Sequence, residues 1–345
     1  MDLSGIDSKK SACLTIIAMM DDRSSLPKVS IIIPCFNAQR TIQEAVSSAL
    51  EQTYPSSEVI VIDDGSTDDS LSKIQAFGDR IELISGPNFG GSTARNRGVL
   101  AASGEFVQFL DADDLLHPEK LARSVATSRA VPSNAIVVSD WRRILLNPNR
   151  DVEEHSFPSE PTNMLEAALF YGLQTAAPLH RRQTLLEIGG FREHLRCCQE
   201  KDLHLRLVAA RYEFKRLAFP GVTVRQTAGS VSSDNVKVLL QRREVLCNLV
   251  RLLEASNCDS GWRSTVASAL TRDSFDLINV GLVREARPNL DLAYHLDPEK
   301  LGRRGVIGLL PRILIQVFGV QQASALYAIL KSSFRSAKSS IKIPN

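Results

Sequence analysis

The sequence predicts an α/β fold: a mostly parallel sheet with helices on both faces, followed by an α-helical C-terminal region. Three observations carry this. Short apolar runs rich in β-branched residues alternate with helical patterns and short connections from Val29 to Ser139. Polar and acidic clusters follow directly on the first, second and fourth of these runs. Beyond Ser233 only helical patterning is found.

Val29–Pro34 (VSIIIP) is continuously apolar, as a strand covered on both faces must be. Asn37 is placed to cap a helix over 38–52, with Ile42, Ala45, Val46, Ala49 and Leu50 on one face. Glu58–Asp63 (EVIVID) is a second buried strand, Asp68 opens a helix, and Arg80–Ser85 is a third strand. Gly90–Ser92 leads into a helix over 93–102, and Glu105–Leu110 is a fourth strand. Pro118 stands where the next helix begins, and Ala135–Ser139 is a fifth strand. Residues 141–163 read as irregular. Residues 164–171, 181–188 and 199–211 read as helical, and Phe214–Val224 as extended. Asp234 caps a long amphipathic segment, and two pieces around 262–283 and 284–296 suggest a helical hairpin.

Composition narrows the function. Hydrophobic residues are 43% and charged residues 23%, which excludes collagen, bulk disorder and a polytopic membrane protein. Six cysteines without a C-x-x-C pair argue against a disulfide scaffold or a cysteine zinc site and fit a reducing cytosol. The run Ala12–Met20 is too short, and its flanks wrong, for a secretion signal; it belongs to an N-terminal extension. Net charge is +2, but residues 301–345 carry seven basic and no acidic side chains, which leaves −5 on the rest. That asymmetry argues against a general nucleic-acid binder. Only the tail suits an anionic surface.

In an open parallel sheet, ligands bind beyond the carboxyl ends of the strands. There the chain places Pro34-Cys35-Phe36-Asn37, then Asp63-Asp64-Gly65-Ser66, then Asp111-Ala112-Asp113-Asp114. Carboxylates packed together repel unless a cation or hydrogen-bond donors compensate. Each cluster alone is an ordinary turn or cap; three on one sheet edge are not. An EF-hand loop, G-x-G-x-x-G, a P-loop, G-x-S-x-G and H-E-x-x-H are all absent. What remains is a short D-x-D suited to Mg²⁺ or Mn²⁺ bridging carboxylates to a diphosphate. Trp141, after Asp140, is either an exposed aromatic face for a ligand ring or an ordinary packing aromatic.

In this order the motifs resemble the family 2 glycosyltransferases, of Rossmann-like GT-A fold. The matching runs are VSIIIPCFNAQRTIQEAVSSALEQTYPSSEVIVIDDGSTDDS, GPNFGGSTARNRGVLAASGEFVQFLDADDLLHPEKL and, more loosely, LHRRQTLLEIGGFREHLRCCQEKDLHLRL. The resemblance covers about 28–230 and implies inverting transfer of a sugar from a nucleotide diphosphate-sugar to an acceptor hydroxyl. It implies that Pro34 and Asn37 lie along the nucleotide, and that Asp64 accepts a hydrogen bond from the base with Asp63 close by. It makes Asp113 the direct ligand of Mn²⁺ or Mg²⁺, with Asp111 facing the ribose or metal-bound water and Asp114 capping the following turn. Arg95 is either near the diphosphate or a surface or packing arginine. Glu200 occupies the position of the catalytic base, Gln199 replaces an acid, and Asp202 favours the helix N-terminus. Thr227 stands where a histidine often does.

The expected organisation is a flexible extension over 1–27, a catalytic domain over 28–230, a helical region over 231–300 and a basic amphipathic tail over 301–345. The catalytic domain divides into a nucleotide half, 28–140, and an acceptor half, 141–230. The expected acceptor is a glycan or lipid-linked glycan in cell-surface polysaccharide synthesis. The expected location is cytoplasmic, with the tail either touching the inner face of the membrane or covering the catalytic domain. A catalytically silent sugar-nucleotide-binding scaffold, or a nucleotidyltransferase, are the alternative readings.

Overall fold

The computed structural model describes residues 26–145, 152–158, 163–225, 235–256 and 261–298. The extension before residue 26, Thr227, Asp234 and the basic tail lie outside the described residues. The chain divides into two compact units, Met1–Ser233 and Asp234–Asn345.

The first unit is built on a nine-stranded sheet. Four strands run parallel side by side at one end: β1 (Val29–Cys35), β2 (Ser57–Asp63), β3 (Glu82–Ser85) and β4 (Phe106–Phe109), in the order β3-β2-β1-β4. Central β1 pairs in parallel with both β2 and β4, so Ile32 faces Ile60 on one side and Phe109 on the other. This explains its unbroken apolar run: Ile31, Ile32 and Ile33 are all fully buried. Helix α1 (Ile42–Leu50) buries Ile42, Ala45, Val46 and Ala49, the predicted face, with Leu50 half-buried at its end. Each such side chain contributes about 1.5–3 kcal/mol on burial. After β2 come α2 (Ser70–Gln75) and a short 3₁₀ turn at Gly78–Arg80, which delays β3 by two residues from its predicted start. Helix α3 (Gly91–Ala101) lies against β1 so closely that a Cβ on Gly98 would sit 2.3 Å from Ile32 Cγ2. Only glycine permits that approach.

The rest of the sheet is mixed: the predicted strands at 135–139 and 214–224 pair with each other in parallel, and the remaining pairs are antiparallel. Beyond β4 the order continues β8-β6-β9-β5, with β7 paired to β6. These are β5 (Leu115–Leu116), β6 (Ala135–Ile144), β7 (Val152–His155), β8 (Pro178–Arg181) and β9 (Glu213–Arg225). The predicted helix over 181–188 is present as α6 (Arg182–Glu187), and the strand β8 that leads into it was not predicted. Strand β8 has four residues, too few to show a period, and is held by antiparallel pairing to β4 and β6. Within the segment read as irregular, VEEH forms β7. It is a polar edge strand, held by pairing to β6 and by Arg142–Glu154 at 3.1 Å. Trp141 is packing: it is 4% exposed, and His155 stacks on it at 5.6 Å.

Helices α4 (Lys120–Ala130), α5 (Met164–Phe170) and α7 (Gln199–Ala209) complete this unit. Its interior buries the bases Lys120, His180 and His204. Lys120 is fully buried and donates to Ala177 O at 2.9 Å; burial pushes its pKa down to about 7. The His180 and His204 rings stack at 6.1 Å. Burial, with the charge of Lys120, lowers the His180 pKa to about 3, and burial beside His180 lowers that of His204 too.

The unfolded chain therefore binds protons at His180 between its ordinary pKa of 6.5 and about 3, while the folded chain does not. Stability is lost as pH falls through that window. His180→Phe, which keeps an aromatic ring against Phe109 and His204, is expected to move the acid-unfolding midpoint to lower pH by circular dichroism. An unchanged midpoint would show that His180 does not drive acid unfolding.

The second unit contains α8 (Asn235–Ala255), α9 (Trp262–Asn279) and α10 (Val283–Leu296). Helices α9 and α10 form the expected hairpin, and the chain turns between them at Gly281 with φ of 85°. Leu239 of α8 packs with Leu277, Ile278 and Ala286, and Arg242 pairs with Asp273 at 2.7 Å. Among the described residues no helix is long and apolar enough to cross a membrane.

Candidate active site

The carboxyl ends of β1, β2 and β4 lie side by side, because parallel pairing sets Cys35 opposite Asp63 and Ile32 opposite Phe109. Pro34 is half-buried at the end of β1. Asn37 does not cap α1, which begins at Ile42 behind Thr41. It takes a left-handed conformation, φ 50°, which asparagine tolerates better than most residues. Its amide oxygen accepts from the Thr67 N–H at 2.8 Å, and its own N–H donates to Ser66 Oγ at 3.1 Å. Ala38 and Gln39 donate to Ser70 Oγ and Asp68, so the loops after β1 and β2 are sewn together. Phe36 projects from this seam, 49% exposed.

Asp63 and Asp64 are both buried. Asp63 accepts from Ser85 Oγ at 3.0 Å and from the Ser66 N–H at 3.3 Å. Asp64 accepts from the backbone N–H groups of Phe89 and Gly90, at 2.9 and 2.8 Å. It thereby fixes the entry to α3, the helix that carries Arg95. Gly65 turns away behind the pair with φ of 76°, where a Cβ would meet Asn88 N at 2.8 Å.

Arg95 is the centre of the cluster, and it is not a surface residue: it is 7% exposed. One guanidinium nitrogen donates to Asp111 Oδ1 at 2.6 Å and lies 3.7 Å from Glu200 Oε1. The other donates to Gln199 Oε1 at 2.7 Å, and the group lies over the Phe191 ring at 5.4 Å. Burial alone would lower the Arg95 pKa, but Asp111 and Glu200 outweigh it and raise it above its ordinary value.

The turn after β4 closes with the Asp114 N–H on Asp111 O at 3.0 Å. The Asp114 carboxylate is buried and does not cap the following turn. It accepts from the Arg225 N–H on β9 at 3.0 Å. Burial, then repulsion from Asp111 and Asp113, pushes its pKa up to about 8. Arg225 also reaches the Asp113 carbonyl and Glu44 with its guanidinium.

Glu200 stands in the first turn of α7, where its Oε1 accepts from Thr175 Oγ1 at 3.1 Å. Asp202 is turned inward, 2% exposed, and bonds Arg206 at 2.7 Å and Arg192 at 3.3 Å. Arg206 in turn donates to the Ile188 and Gly190 carbonyls, fixing the loop that leads to α7.

The structure thus joins Arg95, Asp111 and Glu200 in one cluster, with Asp113 and Asp114 adjoining Asp111. Pro34, Asn37, Asp63 and Asp64 line the neighbouring strand ends. Thr175 and Arg225 enter this site without a sequence signal, and Phe191 lies in the GGFRE stretch of the resemblance, which assigns it no role. Among the described residues no three His, Cys, Asp or Glu side chains converge as a self-sufficient metal site. The crowding that raises Asp114 is nonetheless what a hard divalent cation relieves, so Asp111 and Asp113 fit an ion that completes its shell from a substrate.

Residues 30–182 match the sequence profile described as Glycosyl transferase family 2. A stretch of 100 residues is 42% identical to the Escherichia coli UDP-Glc:alpha-D-GlcNAc-diphosphoundecaprenol beta-1,3-glucosyltransferase WfgD, over 28% of this chain and 40% of that protein. A stretch of 119 residues is 34% identical to an uncharacterized glycosyltransferase of Rickettsia typhi, over 34% of this chain and 37% of that one. The matches thus span well under half the length of these relatives. The S. aureus TarS 1-349 structure in complex with UDP-GlcNAc superimposes with a TM-score of 0.67 at 20% identity, over 90% of this chain and 92% of that one.

Proposed function

Residues 30–182 belong to glycosyl transferase family 2, and from that premise we propose that this chain moves a sugar from a nucleotide diphosphate-sugar to an acceptor hydroxyl with inversion. The observation that carries the reading is Arg95, buried between Asp111 at 2.6 Å and the first turn of α7 at Gln199 and Glu200. It holds the D-x-D turn and the candidate base at a set spacing.

Pro34, Asn37, Asp63 and Asp64 form the nucleotide side. Asp63 and Asp64 serve it chiefly by shaping the loops at 66–70 and 86–90. Asp113 and Asp111 would hold Mn²⁺ or Mg²⁺, which when bound supplies Lewis-acid neutralisation of the departing diphosphate. Glu200 takes the proton of the acceptor hydroxyl as that oxygen attacks the anomeric carbon opposite the diphosphate. Thr175 steadies the carboxylate through its hydroxyl. Arg95 keeps Asp111 and Glu200 from repelling each other across the gap.

Uridine donors are the first to test, because WfgD is named for UDP-Glc and the TarS structure is a complex with UDP-GlcNAc. A ligand that binds only the folded state raises the melting temperature by mass action. UDP with Mn²⁺ is expected to raise it, the shift being lost in Asp113→Ala and kept in Glu200→Gln. No shift with any nucleotide diphosphate, in folded protein, would overturn the transferase reading.

The reading extends to a lipid-linked glycan acceptor in cell-surface polysaccharide synthesis, reached from the cytoplasmic face. Its support is the charge of residues 301–345, which carry seven basic side chains and no acidic one. Such a segment is drawn to anionic lipid, about 1 kcal/mol per basic residue near the surface. The full chain is expected to sediment with phosphatidylglycerol vesicles, and a chain ending at Lys300 to remain in solution. Equal sedimentation of the two would remove the tail from the account.

A further inference from the structure

Glu200 is flanked by a short loop, Tyr171-Gly172-Leu173-Gln174. Both ends of this loop are tied to the first turn of α7. Upstream, Lys201 Nζ donates to Leu169 O at 2.7 Å. Downstream, Thr175 Oγ1 donates to Glu200 Oε1 at 3.1 Å. The loop is therefore a bridge beside the carboxylate rather than a distant surface turn.

Tyr171 occupies this bridge with its side chain turned outward, 49% exposed. Its ring is not loose. Phe157, fully buried, meets it edge-on at 6.4 Å, and Phe157 is itself packed against Phe214 at 5.9 Å. Beside it, a Cβ on Gly172 would find nothing within 4 Å among the described residues, which leaves room over the loop. A tyrosine backed by the core and exposed outward is a rigid amphipathic surface that loses little entropy on contact. Four residues span at most about 14 Å, so the ring stays within reach of a molecule reacting at Glu200.

We propose that Tyr171 is the acceptor-side sugar platform: the apolar C–H face of a pyranose ring of the acceptor glycan stacks on it while another part of the same acceptor meets Glu200. This rests on the reading of Glu200 as the base that faces the acceptor. The platform serves a carbohydrate, since the ring offers an apolar face with a hydroxyl at its tip and no charge.

Saturation-transfer NMR on the full chain tests it with a panel of methyl glycosides: glucoside, N-acetylglucosaminide, galactoside and rhamnoside. At least one is expected to bind in the presence of UDP and Mn²⁺. Tyr171→Ala weakens that binding tenfold or more, and Tyr171→Trp retains it. Tyr171→Ala keeps the nucleotide-dependent melting shift of the wild type, which shows that the variant is folded. Absence of binding by every glycoside in the panel, or equal binding by Tyr171→Ala, overturns the platform. Absence of the nucleotide shift in the wild type instead overturns the donor reading; the glycoside result then still decides the platform by itself.

Discussion

Arg95→Ala is expected to destabilise the chain by about 3–5 kcal/mol, the usual consequence of breaking a buried ion pair by removing one partner, and to abolish sugar transfer. The cost arises because Arg95 is 7% exposed and donates to Asp111 and Gln199 while lying 3.7 Å from Glu200. Removing it leaves Asp111 and Glu200 repelling across a partly dry gap and leaves the Gln199 carbonyl oxygen without its guanidinium donor. Urea unfolding measures the stability, and release of UDP from a UDP-sugar measures the activity. Arg95→Lys separates the two effects. It restores a charge, and so part of the stability, but a lysine lacks the planar fork that reaches Asp111 and Gln199 together. Activity should stay low in the lysine variant. A stable and fully active Arg95→Ala protein would show that the cluster is neither cohesive nor catalytic.

Glu200→Gln is expected to lower transfer by about 10²–10⁴, the range typical for loss of a general base, with little change in stability. The amide oxygen of glutamine still accepts from Thr175, whose hydroxyl lies 3.1 Å away in the native chain. The residue is also only half-buried, so no new cavity opens. Asp202→Asn is the instructive contrast. Asp202 is 2% exposed and bonds two arginines, one of which fixes the loop before α7. Its neutralisation should lower the urea midpoint more than Glu200→Gln does. Rates within tenfold of the wild type for Glu200→Gln would place the base elsewhere.

The parallel half of the sheet was readable because burial on both faces forces an unbroken apolar run, and VSIIIP and EVIVID are such runs. In the mixed half β6 and β9 were readable too, but β7 and β8 were not. PLHR has no period and VEEH is almost wholly polar. Each is a strand only because a partner strand supplies its hydrogen bonds. Trp141 shows the same limit from the other side. Its position after a strand allowed either an exposed face or a packed one, and the stacking of His155 decided for packing.

The candidate site divides in the same way. Asp63, Asp64, Asp111 and Asp113 were legible because parallel strands bring their own carboxyl ends to one edge, so residue type and position after the strand suffice. Glu200 was visible only through resemblance, and Thr175 and Arg225 not at all. They act from segments far away in sequence, and nothing local constrains which residue meets which.

By itself, then, the sequence determined the strand–helix order of residues 29–110, the acidic edge and the charge of the tail, all properties set by local patterns of burial and repulsion. Tertiary structure alone decided that Arg95 is a buried link between the D-x-D turn and α7, that Asp64 serves the entry to α3, and that Tyr171 is exposed on a loop whose ends are tied to α7. These depend on which side chains cross from one element to another, and that choice is made by packing.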